Sequence, residues 1–157
     1  LIGDTIRFTS LNPYRIKVTG RTKHHINVFG EELMVENTDA AIAKTCALFD
    51  CEIVDYTVAP VFMSEAKKGS HEWIIEFKHP PEDIEKFRFA LDDTIQSLNS
   101  DYEAKRYNNM TLNPLVLNVA RKNLFYDWLK QNDKLGGQHK IPRLSNDRNY
   151  LESLLQL

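Results

Sequence analysis

The sequence predicts an α+β domain: a βαββαβ-like order with a mostly antiparallel sheet, helices on one side of it and further helices at the C-terminal end, all preceded by a β-hairpin. Three observations predict it. Apolar and polar residues alternate in the runs Asp4 to Thr9, Tyr14 to Val18 and His71 to Lys78, the period-two pattern of half-buried strands. Ile84, Phe87, Leu91, Ile95, Leu98 and Tyr102 recur every three or four residues, which draws one apolar helix face. From His24 onward the segments read strand, helix, strand, strand, helix, strand, and then two more helices, an order that places helices against a sheet.

Each element has its own local reason. Ser10-Leu11-Asn12-Pro13 supplies turn chemistry between the first two strands. An isolated hairpin is marginal in water, so this one is expected to pack on something else or on a second copy of the chain. A third strand is expected over His24 to Phe29, ending at Gly30. Thr38, with Asp39 in the first turn, reads as the cap of a helix whose apolar stripe is Ile42, Cys46 and Phe49. Glu52 to Phe62 is rich in Val, Ile and Tyr and reads as a strand, with Pro60 marking an edge or a bulge. After the turn Lys67-Lys68-Gly69-Ser70 comes the strand His71 to Lys78. Pro80-Pro81-Glu82-Asp83 opens the clearest helix. Pro114 to Val119 is expected as a last strand, Asn123 to Gln131 as a short helix, and the region from Ser145-Asn146-Asp147 as the start of the final helix, with Leu151, Leu154 and Leu155 inward.

Composition narrows the function. The chain of 157 residues is 42% hydrophobic and 27% charged, enough for a real core. A net charge of −2 argues against a dedicated nucleic-acid binder. No apolar run approaches the ~20 residues that span a bilayer, and no leader pattern is seen, so a cytoplasmic protein is expected. Cys46 and Cys51 do not make a disulfide framework and read as small packing residues. The five histidines form no HxH or HExxH pattern, so no metal ligands are assigned. The chain starts at Leu1 and enters a strand at once, which reads as a start inside a larger protein.

Three segments carry the chemistry. Gly3-Asp4 through Phe8 comes first. Thr19-Gly20-Arg21-Thr22-Lys23-His24-His25-Ile26-Asn27-Val28-Phe29-Gly30-Glu31-Glu32-Leu33 follows. Leu135-Gly136-Gly137-Gln138-His139-Lys140-Ile141-Pro142-Arg143-Leu144-Ser145-Asn146 lies far downstream. Together, in this order, they resemble the C-terminal part of the auxin-responsive acyl-acid amido synthetases, bacterial members above all. These enzymes are a branch of the adenylate-forming superfamily that includes firefly luciferase.

The resemblance implies roles residue by residue. Asp4 would grip the ribose hydroxyls of ATP, accepting two charge-assisted hydrogen bonds from the diol; by residue type alone it reads as a turn-end aspartate. Arg21 would reach ribose or phosphate oxygens with its fixed fork. Gly20 and Lys23 would form the hinge between two domains, residues 1–22 closing the large N-terminal adenylation domain and 23–157 forming a C-terminal lid. Lys140 would be the catalytic lysine, entering the active site during adenylation. His139 would line the same loop. Glu31 and Glu32 read as a solvated approach to the helix, with contact to the amine of an incoming amino acid as the other reading. The implied reaction is two-step: an acyl acid and ATP, with Mg²⁺, give an acyl-adenylate, and an amino acid's amine then attacks it. ATP and Mg²⁺ would be held mainly by the N-terminal domain, the expected partner, and the chain alone is expected to be inactive. Pairing through the hairpin into a homodimer is a further expectation.

Two other classes fit the same order of elements. One is a non-catalytic small-ligand-binding or assembly module of ferredoxin-like type. The other is RNA binding on the sheet face; the interleaved aromatic strand motif and the positive charge it needs are both missing.

Overall fold

The computed structural model describes residues 4–21, 25–136 and 140–157, with backbone alone at 4–5 and 18–21. Strands β1 (Asp4–Leu11) and β2 (Tyr14–Arg21) form the antiparallel hairpin, with Phe8 opposite Ile16. Each strand runs further than the alternating pattern alone indicated. Ile6, Phe8 and Ile16 are more than half exposed, and Arg7 lies 3.8 Å from Glu36 in an exposed, screened ion pair.

Strand β3 holds only His25–Ile26 and pairs with β4, Leu33–Met34. The expected strand over His24 to Phe29 is therefore cut short, and it stands apart from the main sheet. The reason is local: the chain turns back at Gly30, with φ of +79°, and the Glu31 carboxylate folds over to accept the Phe29 N–H at 2.7 Å. Helix α1 (Val35–Phe49) follows directly. Its N-terminus is capped by Asn37, which accepts the Met34 N–H at 3.1 Å, so Thr38 is not the cap. Thr38 is buried inside the first turn and donates to Val35 C=O at 2.9 Å. The helix stops at Asp50 in the left-handed region, where the Cys51 N–H reaches back to Cys46 C=O at 3.1 Å.

The main sheet has the order β5-β6-β7. β5 (Glu52–Val61) and β6 (Ser70–His79) are antiparallel, and β7 (Val116–Val119) joins β6 in parallel. Pro60 lies on β5, an outer strand, where its missing donor costs the ladder least. α2 (Ile84–Leu98) is capped by Asp83, which accepts the Lys86 N–H at 3.0 Å. The apolar stripe read through to Tyr102 is broken at Asn99, whose side chain accepts the Tyr102 N–H at 2.7 Å and starts a separate α3 (Ser100–Arg106).

Side-chain alternation sends the two faces of the sheet into two cores. Tyr56, Val58, Trp73 and Ile75 pack with Ala41 and Ile42 of α1, Phe87, Leu91 and Ile95 of α2, and Tyr102 of α3. Ala59 and Ile74 pack on the opposite side with α4 (Leu124–Gln131) and α5 (Asn149–Leu155) through Leu124, Phe125, Trp128, Leu151 and Leu154. Glu76 of β6 accepts the Asn123 and Phe125 N–H groups at 2.6 and 3.4 Å. That seats a carboxylate on the positive end of α4, which has no side-chain cap of its own. The last helix begins at Asn149, later than Ser145, because residues 141–148 are used to edge the sheet. Among the described residues no helix is long and apolar enough to cross a membrane.

Candidate functional site

The segment that follows Lys140 is pinned to the outer edge of β5. Val58 N–H donates to Arg143 C=O at 2.8 Å, and Ser145 N–H donates to Val58 C=O at 3.1 Å. These bonds make a parallel bridge between Val58 and Leu144. Thr57 Oγ1 donates to Pro142 C=O at 2.7 Å. Ile141 enters the second core and Leu144 the first. Lys140 sits immediately before this seam and is exposed. A charged side chain thus projects from backbone that is held within one residue of it.

Cationic and anionic groups surround the seam. Arg143 pairs with Asp39 of α1 and lies over the Tyr56 ring at 5.3 Å from its centre. Tyr56 donates its phenolic hydrogen to the same Asp39, and the Thr38 hydroxyl lies 2.7 Å from the phenol oxygen. Burial, reinforced by Asp39, holds the phenol pKa well up, so Tyr56 remains a donor. Burial also raises the Asp55 carboxyl above its usual range, opposed by its bond to the Tyr56 N–H and by the charges of Arg143 and Lys140. Beyond the seam, Arg148 donates to Pro60 C=O at 3.0 Å and pairs with Glu72 at 2.7 Å. Asn146 Nδ2 donates to His25 C=O at 2.8 Å, and its Oδ1 accepts the Asn27 N–H at 2.9 Å.

The other residues read from the sequence fall in different places. Asp4 and Arg21 face each other in the hairpin register, and Gly20 faces Thr5; the side chains of Asp4 and Arg21 lie outside the described residues. Lys23 and His139 lie outside them altogether. Glu32 is exposed, with φ of +39°. Its N–H donates to Asn27 Oδ1 at 3.2 Å and its carbonyl accepts from Asn99 at the same distance.

Glu31 corrects the solvated reading. It is fully buried, with Oε1 2.8 Å from His71 Nε2, itself fully buried, and with Oε2 on the Phe29 N–H. His71 in turn stacks on Tyr102 at 5.3 Å. Both carboxylate oxygens are engaged inside the domain, so no substrate contact is assigned to Glu31. Burial pushes its pKa up, but the bond and charge of His71 and the Phe29 N–H outweigh that and hold it below its ordinary 4.5. A carboxylate so depressed stabilises the fold fully above that ordinary value, and the contribution is lost as pH falls through the lower folded value. Glu31→Gln should therefore flatten the decline of stability below about pH 4.5, and cost about 1–3 kcal/mol at neutral pH. Urea midpoints measured across the acid range check both.

Sequence reasoning missed Asp39, Asp55 and Tyr56 as neighbours of the lysine segment, and Asn146 as its tether. Asp55 and Tyr56 fell in a run read only as a strand, and nothing local marked what they would meet. Cys46 and Cys51 are free and half-buried against the first core. Burial raises both thiols, Cys51 to about 12 with Cys46 beside it, which suits packing better than reactivity. Among the described residues no three His, Cys, Asp or Glu side chains gather as metal ligands, and no step below is assigned to a metal held by this chain.

Comparison with known proteins bears on this arrangement. The model of the GH3 family C-terminal domain matches residues 36–149. Among solved structures, a GH3.15 acyl acid amido synthetase superposes with a TM-score of 0.77 at 20% identity, covering 99% of this chain and 30% of that one. An AtGH3.15 acyl acid amido synthetase in complex with 2,4-DB gives 0.73 at 19% identity, covering 99% and 29%. The chain thus spans under a third of the length of either, and at these identities the likeness shows the fold. No curated protein matches. The family model covers well over half of the chain, through both cores and the seam after Lys140: the chain belongs to the GH3 family and carries its C-terminal domain.

Proposed function

We propose that this domain is the mobile lid of an ATP-dependent acyl acid amido synthetase, with an N-terminal region of the same protein as its partner. The observation that carries the reading is Lys140, exposed at the start of a segment anchored in both cores, in a chain of the GH3 family. In the first step a carboxylate oxygen of the acyl acid attacks the α-phosphorus of ATP, and the bond to pyrophosphate breaks. Negative charge gathers on the transferring phosphoryl oxygens, and the Lys140 ammonium stabilises it by position and charge. In the second step an amino acid's amine attacks the acyl carbon and AMP leaves, the amine's proton being lost to solvent or a base of the partner region.

The hinge is assigned to Gly20 through Lys23, residues 1–22 closing the N-terminal region and 23–157 moving. Asp4 and Arg21, neighbours in the hairpin ladder, would meet the ribose and phosphate side of ATP. The exposed apolar face of Ile6, Phe8 and Ile16 supports a hairpin made to be covered by that region.

The test is ATP–pyrophosphate exchange with carboxylic acids. The chain of residues 1–157 alone should give none, while the longer protein that carries it should exchange label in an acid-dependent way. Clear turnover by residues 1–157 alone would refute the lid reading.

A further inference from the structure

One side chain joins residues 25–27, which follow the proposed hinge, to the segment that carries Lys140. His25 and Asn27 are the first described residues beyond Lys23 whose backbone groups are met from elsewhere in the chain. Their partner is Asn146, six residues past Lys140. Its carboxamide donates to His25 C=O at 2.8 Å and accepts from Asn27 N–H at 2.9 Å. In an extended chain the carbonyl of residue i and the N–H of residue i+2 point to the same edge. One planar amide, a donor and an acceptor side by side, therefore takes the place of a strand partner. Ile26, between the two bonded residues, is fully buried in the first core.

From Asn146 back toward Lys140 the backbone has little freedom. Ser145 N–H and Arg143 C=O are both bonded to Val58, Pro142 C=O to Thr57, and Leu144 is buried. A displacement of residues 25–27 is thus carried by the amide pair into a short, stiff segment that ends at Lys140.

We propose that Asn146 is a positioning residue that locks the chain leaving the hinge to the segment bearing Lys140, so that rotation at 20–23 sets the lysine's position without slack. This rests on the lid reading above. Asn146 itself is exposed, so its removal leaves both cores intact, and the effect should appear in catalysis more than in stability.

The experiment uses Asn146→Ala in the longer protein, beside Lys140→Ala. For Asn146→Ala, kcat of pyrophosphate exchange should fall between about tenfold and a hundredfold, the cost of a misplacement near 1 Å. KM for ATP and for the acid should hold, since no binding group is lost. Attack of an amine on a pre-made adenylate should hold too, as should the thermal midpoint, and the Asn27 amide should lose protection from hydrogen exchange. Three results overturn the coupling alone: unchanged exchange kcat while Lys140→Ala is impaired, an Asn27 amide as protected as before, or parallel loss of both half-reactions with a lowered midpoint. Should Lys140→Ala leave exchange untouched, the underlying reading fails and takes the coupling with it.

Discussion

Lys140→Ala, in the longer protein, should lower adenylate formation by about a hundredfold or more and leave amine attack on a supplied adenylate almost unchanged. The size follows from what one preplaced charge is worth where negative charge develops in a water-poor cavity, about 3 kcal/mol. The asymmetry follows from geometry. On the proposed lid motion, an ammonium carried on the domain's rim serves the step for which it is delivered and is elsewhere for the other. Because Lys140 is exposed, its truncation opens no cavity, and the unfolding midpoint should not move. Pyrophosphate exchange reports the first step, and single-turnover amide formation from chemically prepared adenylate reports the second. Equal loss in both would mean that Lys140 acts on the domain or on nucleotide binding at large, and its catalytic assignment would fall.

The sequence carried some of this and hid the rest for identifiable reasons. Helix α2 was legible because its stripe and its Asp83 cap agree. The break at Asn99 was not, since Tyr102 continues the same spacing and a capping asparagine looks like any other polar residue. The short β3 was hidden because the cause is Glu31, a charged residue that turns inward to a histidine forty positions away. Local patterns treat such a residue as solvent-facing. The seam after Lys140 was half legible. Pro60 marked β5 as holding an edge or a bulge, but no local pattern showed that Ile141 and Leu144 serve as one anchor in each core. Lys140 was singled out by its motif, and the structure places it exposed just before the seam. Asn146 stood in the same motif, but its role depends on His25, 121 positions away, and only the folded chain brings them together.

The largest loss of stability should come from Asp92→Asn. Asp92 is 2% exposed, and its carboxylate collects bonds from three elements. Oδ1 accepts from Tyr102 Oη at 2.7 Å and from Leu115 N–H at 3.2 Å. Oδ2 accepts from an Arg106 terminal nitrogen at 2.7 Å and from Gln96 at 3.0 Å. Arg106 also donates to Leu112 C=O at 2.9 Å, so the pair ties α2 to α3 and to the stretch that leads into β7. Asparagine keeps the shape and loses the charge, and its NH₂ must face one set of donors. A guanidinium left buried without its counter-ion costs about 3–5 kcal/mol, a large part of the ~5–15 kcal/mol that holds a domain together. Adding Arg106→Met to the Asp92→Asn variant should recover part of that loss, because the stranded charge is removed; urea midpoints of the two single variants and the double variant give the coupling. A cost under about 1 kcal/mol for Asp92→Asn would mean the guanidinium is solvated in practice. The kinetic signature should differ from that of the lysine segment. Damage at Asp92 acts through the folded fraction, so both half-reactions should decline together as temperature rises, whereas loss of Lys140 separates them at every temperature.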